Sequence, residues 1–97
     1  MPSFLEAQVL LLPSDVGGRP LPIAPREGNY RPSLRALEGG RSFPIRFIEG
    51  PPWLAPGGDA RVVVELESEA AAVKAGQELH IVEGTTIVGL LTVLRVL

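Results

Sequence analysis

A small all-β domain, most simply a closed barrel, is what this sequence predicts. Three observations carry that expectation. Several short stretches alternate apolar and polar residues with the period of two that marks a half-buried strand. Eleven glycines and ten prolines are spread along the chain, so it divides into many short elements joined by tight turns. No segment has the apolar periodicity of a helix longer than about one turn. A closed barrel also removes the exposed sheet edges that about six such strands would otherwise leave.

The first strand is read at Leu5, Ala7, Val9 and Leu11, which alternate with Glu6, Gln8 and Leu10 until Pro13 ends the run. Gly17-Gly18 supplies a turn, and Pro20 with Pro22 limits the next segment to an extended or edge strand. Ala24–Asn29 is polar and turn-like. A short strand is expected from Tyr30 through Arg35, with Pro32 confining it to an edge or bulge. After the Gly39-Gly40 turn, Phe43, Ile45 and Phe47 alternate with Pro44, Arg46 and Ile48, which points an aromatic face inward. The Pro-rich stretch Gly50–Gly58 reads as a stiff loop with Trp53 tucked against the barrel end.

Val62, Val64 and Leu66 give the cleanest strand pattern, opposite Arg61, Val63, Glu65 and Glu67. Glu69–Lys74 has helix propensity in its three alanines but is too short to stand alone, so one irregular turn or a strand extension is expected. Leu79 and Ile81 alternate with His80 and Val82, and Gly84 turns the chain into a final strand, Ile87–Leu97. That strand is apolar on both faces: Ile87, Leu91 and Val93 on one, Val88, Leu90, Leu94 and Val96 on the other. A barrel wall has one inner face. The set Val88, Leu90, Leu94 and Val96 is therefore the expected protein interface.

Ninety-seven residues make one domain, 1–97, able to bury roughly 60–70% of its unfolded surface. There is no cysteine, so neither a disulfide framework nor a thiolate metal site is expected. The start of the chain shows no basic segment leading into an apolar run, and no apolar stretch approaches the ~20 residues a membrane span requires. The expectation is a soluble, unprocessed cytoplasmic protein with no membrane contact. A mean hydropathy of +0.24 with only five aromatic residues places the apolar weight in aliphatic side chains, some of which want a partner.

Net charge is −2 but unevenly laid out. Arg19–Arg46 holds six arginines against Glu27 and Glu38, leaving +4, while Glu49 to the end carries −4. Arginine's planar fork suits phosphate and carboxylate, although a GC-rich genome produces the same preference over lysine. Chemistry-bearing constellations are sparse. His80 is the single histidine and lacks metal-ligating companions. The five serines and two aspartates form no nucleophile-elbow pattern. Glu65, Glu67 and Glu69 alternate along one face and read as a solvated strand surface rather than a paired-carboxylate site. No catalytic residue, cofactor or metal site is expected.

Seven short motifs then occur in order: Glu6-Ala7-Gln8-Val9-Leu10-Leu11-Leu12, Gly17-Gly18-Arg19-Pro20, Tyr30-Arg31-Pro32, Pro56-Gly57, Val63-Val64-Glu65-Leu66, Glu83-Gly84 and Thr86-Ile87-Val88-Gly89. In that order they resemble the third, C-terminal domain of elongation factor Tu, from about Phe4 to Leu97. The resemblance implies a six-stranded antiparallel barrel. In that family the domain lies beside a second barrel and a GTPase domain and touches the T-stem of aminoacyl-tRNA. This chain has no Gly-x-x-x-x-Gly-Lys-Ser/Thr loop and only one lysine, Lys74, which excludes nucleotide hydrolysis by P-loop machinery.

The same resemblance implies that Arg31 sits where the family contacts RNA backbone and that Glu83 and Gly84 form the turn that reaches the T-stem. Val82 stands where the family usually has Arg, and Thr85 and Thr86 where it usually has Gly-Arg. Two functional expectations result. The favoured one is a non-catalytic binding module that docks a protein partner or a second copy of itself. The alternative is a tRNA-binding module acting through Arg19, Arg31, Glu83 and Gly84.

Overall fold

The computed structural model describes residues 3–67 and 73–97. Six antiparallel strands close into a barrel: β1 (Ser3–Leu11), β2 (Ser33–Ala36), β3 (Ser42–Glu49), β4 (Asp59–Leu66), β5 (Glu78–Glu83) and β6 (Thr86–Val96). Their order around the wall is β1-β4-β3-β2-β5-β6, with β6 returning to β1. The only helical pieces among the described residues are two single 3-10 turns, Ser14–Val16 and Pro25–Glu27. No helix of the described residues is long and apolar enough to cross a membrane.

Period-two patterning explains the interior. Leu5, Ala7, Val9 and Leu11 of β1 are fully buried, as are Ile45 and Phe47 of β3 and Val62 and Val64 of β4. Phe47 is the largest fully buried side chain, and its ring lies 5.2 Å from that of Tyr30, tilted by 58°. No polar or charged residue among those described is buried. Cohesion inside the barrel is thus aliphatic and aromatic packing, with the polar backbone satisfied by the closed ladder.

Several local expectations are corrected. The Pro20–Pro22 segment forms no strand, because proline cannot donate to a ladder; one isolated bridge, Ile23 to Leu54, is what pairs there. β2 starts at Ser33 rather than Tyr30, although the carbonyls of Tyr30 and Pro32 still accept bonds from Phe47 and Ile45 at 3.0 Å. Trp53 is not tucked in: it is 65% exposed, and Leu54 takes the buried place against Ile23. The expectation for Glu69–Lys74 falls largely outside the described residues.

The final strand departs from simple alternation at two bulges. The β5–β6 register steps from Ile81 opposite Gly89 to Val82 opposite Ile87, leaving Val88 as the extra residue. The bulge reverses the inside-outside phase, so Val88 is 1% exposed and belongs to the core. A second bulge, where β1–β6 pairing steps from Ala7 opposite Val93 to Glu6 opposite Arg95, leaves Leu94 as the extra residue.

Gly89 lies between these bulges where the β1 and β6 backbones come close. A Cβ built there meets the Leu10 carbonyl oxygen at 2.7 Å and the Ile81 Cδ1 at 3.2 Å. Substituting alanine is expected to cost about 1–3 kcal/mol of stability through this overpacking. Chemical denaturation of Gly89→Ala checks it, and an unchanged midpoint would contradict the close approach.

Candidate docking surface

Two places on the outside collect the residues that the sequence singles out. The first is the β5–β6 hairpin tip. Glu83 pairs with Thr86, so Gly84 and Thr85 form a two-residue turn. Gly84 has φ +63° while Thr85 does not enter positive φ, the pattern of a II′ hairpin turn that glycine favours at its first position. A Cβ at Gly84 would meet nothing within 4 Å, so the tip is open to solvent.

Behind the tip, Arg19, Tyr30 and Glu83 converge. The Tyr30 hydroxyl donates to Glu83 Oε2 at 2.5 Å. Arg19 Nε lies 2.9 Å from the same oxygen as an ion pair, without the alignment of a hydrogen bond. The Arg19 guanidinium also sits 5.1 Å from the Tyr30 ring centroid, and its Nη1 donates to the carbonyls of Leu21 (2.7 Å) and Pro22 (2.8 Å). Its side chain is 21% exposed. Two of the expected RNA-contacting side chains, Arg19 and Glu83, therefore spend their charge on each other and on the loop that follows Arg19.

Arg31 does not join this cluster. Its side chain is 60% exposed and its Nη1 lies 3.7 Å from Glu67. Two further arginines are paired across strands: Arg46 Nη2 reaches Glu65 at 2.9 Å, and Arg95 Nε reaches Glu6 at 2.9 Å. Glu65 and Glu67 thus face arginines rather than each other, as a surface ladder would arrange them. Glu69 lies outside the described residues.

Tyr30 gives this cluster a spectroscopic handle, because it is the single tyrosine. Burial, then the hydrogen bond to Glu83 and the carboxylate's charge, push its pKa well above the ordinary value, and the Arg19 guanidinium opposes them only in part. A raised pKa means that the neutral phenol stabilises the fold. That contribution is complete below about pH 10 and is lost as pH climbs through the folded-state value. Ultraviolet titration is expected to show no phenolate until the pH is well above about 10, or until the barrel unfolds. Half-ionisation at the ordinary tyrosine pKa in folded protein would contradict this.

The second place is the outer wall across β1 and β6. Leu10 and Leu90 stand directly opposite each other there. Both point outward, since Val9, Leu11, Gly89 and Leu91 beside them are buried. Leu10 is 42% exposed, and Leu90 and Leu94 are half-buried. Val96 is exposed near the other end of β6. Of the four residues expected to form a protein interface, Leu90, Leu94 and Val96 remain accessible, and Val88 is removed because the bulge turns it inward. Alternation alone does not single out Leu10, whose direct pairing with Leu90 depends on the register of two strands far apart in sequence.

An open depression of about 240 Å³ lies where β3 bulges at Ile48, lined by Glu6, Glu49, Gly50, Arg61, Val62 and Val63. It brings together no nucleophile and base. Among the described residues no group of three or more histidine, aspartate or glutamate side chains is placed to hold a metal ion. No family model matches the chain, and no curated protein matches it.

Proposed function

We propose that this chain is a non-catalytic docking module, a barrel of the kind that forms the C-terminal domain of elongation factor Tu, and that it binds a protein surface through the outer wall of β1 and β6. The single observation that carries the docking reading is the outward Leu10–Leu90 pair. A closed barrel has no packing need for two leucines facing each other on its outside, and covering them gains about 25 cal/mol for each Å² of apolar surface removed from water. The closed six-stranded wall and the Glu83-Gly84 hairpin tip support the likeness to the elongation factor domain. Against tRNA as the ligand stands the internal use of Arg19 and Glu83, together with the Glu67 carboxylate 3.7 Å from Arg31.

Affinity capture from extract of the cells that make the protein tests the reading. A partner held by the wild-type chain should be lost from Leu10→Lys, which places a charge in the middle of the apolar pair while leaving the core untouched. Sedimentation of the two proteins covers the case in which the partner is a second copy. Retention of the same partner by Leu10→Lys would remove the reading, and tight binding of tRNA that weakens with Arg31→Ala would replace it.

A further inference from the structure

The Leu10–Leu90 pair belongs to a longer row that runs past Leu10 to Asp59 of β4 on one side and reaches Arg35 of β2 on the other. Cross-strand register places Ser42 of β3 opposite Arg35 of β2, Arg35 opposite His80 of β5, His80 opposite Leu90, and Leu90 opposite Leu10. Each of these faces outward. Leu34 beside Arg35 is buried, as are Leu79 and Ile81 beside His80, and Phe43 beside Ser42 packs against the core. Directly opposite residues in antiparallel strands hold their Cβ atoms roughly 4.5–5.5 Å apart, so the row is a continuous stripe across five strands. Arg41 precedes Ser42 on the β2–β3 connection and is exposed.

Like Arg26, Arg41 and Arg61, Arg35 has no carboxylate partner among the described residues, and it differs from those three in its sheltered Nε, which has no hydrogen-bond partner among those residues. Arg19, Arg31, Arg46 and Arg95 all have carboxylate partners. Only the Nε of Arg35 is sheltered without an acceptor, and the residue as a whole is half-buried, so its guanidinium can still take a carboxylate from a ligand.

We infer that this stripe receives an acidic segment of a protein partner, its carboxylates meeting Arg35 and Arg41 beside His80, and its apolar side chains covering Leu90 and Leu10. The inference rests on the docking reading and adds the chemistry of the partner. Charge complementarity selects an acidic segment over a basic one. The leucines favour a peptide over nucleic acid, because His80 is the single aromatic ring among these five row positions and the aliphatic Leu90 and Leu10 offer a base no face on which to stack.

Fluorescence anisotropy with a short labelled peptide alternating glutamate and leucine is the test, run beside a lysine–leucine peptide and single-stranded polyuridylate. The glutamate–leucine peptide should bind and weaken as salt is added. Arg35→Leu, which keeps much of the packing, and Arg41→Glu, which alters only an exposed side chain, should each weaken it by roughly tenfold or more. Circular dichroism checks whether each variant is folded, and Arg41→Glu remains decisive if Arg35→Leu is not. Absence of glutamate–leucine binding at low salt, equal binding of the lysine–leucine peptide, or affinity unchanged in folded Arg41→Glu overturns the inference. So does tighter binding of polyuridylate through the same arginines. If Leu10→Lys loses its partner in extract while the glutamate–leucine peptide fails, only the acidic-segment inference falls; if Leu10→Lys keeps its partner, the docking reading falls.

Discussion

Replacing Phe47 with alanine is expected to lower the unfolding free energy by about 3–5 kcal/mol, the range for deleting a large aromatic side chain from a close-packed core. Phe47 is fully buried in β3, touches the Tyr30 ring and faces Val64 across β4. The wall around it is held by a closed backbone ladder, so it collapses little into the space vacated, and the cavity contribution should fall toward the upper end. Total stabilities of domains this size are about 5–15 kcal/mol, so the loss is a large share of the whole. Denaturant titration with an unchanged slope and a lowered midpoint checks it. A loss below about 1 kcal/mol would mean that Phe47 is not the centre of the core.

The second large effect is functional. Leu10→Lys is expected to weaken partner binding by at least about a hundredfold, since desolvating an ammonium, even one opposite Asp59, costs several kcal/mol on top of the lost apolar contact. The same substitution should leave stability within about 0.5 kcal/mol, because Leu10 points outward and its backbone bonds are unaltered. That combination separates a docking residue from a structural one. Equal losses of stability and binding would assign Leu10 to the fold instead.

Most of the fold is legible in the sequence because the inner faces obey strict alternation. Leu5 to Leu11, Phe43 to Phe47 and Val62 to Leu66 each show a period of two that matches one-sided burial. The errors fall where a single residue breaks the period. Counting along β6 puts Val88 outside, and the bulge opposite Ile81 and Val82 turns it inward. Size alone puts Trp53 against the barrel end, but the Ile23–Leu54 bridge uses the next residue and leaves the indole in solvent.

The candidate site is less legible, for a different reason. Leu90, Leu94 and Val96 can be read from the two-sided apolar strand, whereas the row from Ser42 through Arg35 and His80 to Leu90 and Leu10 joins residues far apart in sequence. Only the register of four strand pairs brings them side by side. The convergence of Arg19, Tyr30 and Glu83 has the same origin. Three separate segments meet there, and the meeting turns two expected RNA contacts into an internal ion pair.

The most direct test of the docking account is site-specific photocrosslinking in cell extract. A benzophenone side chain replaces Leu10 in one protein and Pro44, exposed on β3, in another. A defined protein adduct is expected from position 10, absent from position 44 and suppressed by excess wild-type chain but not by excess Leu10→Lys. No protein adduct at position 10, or the same adduct from both positions, would contradict it.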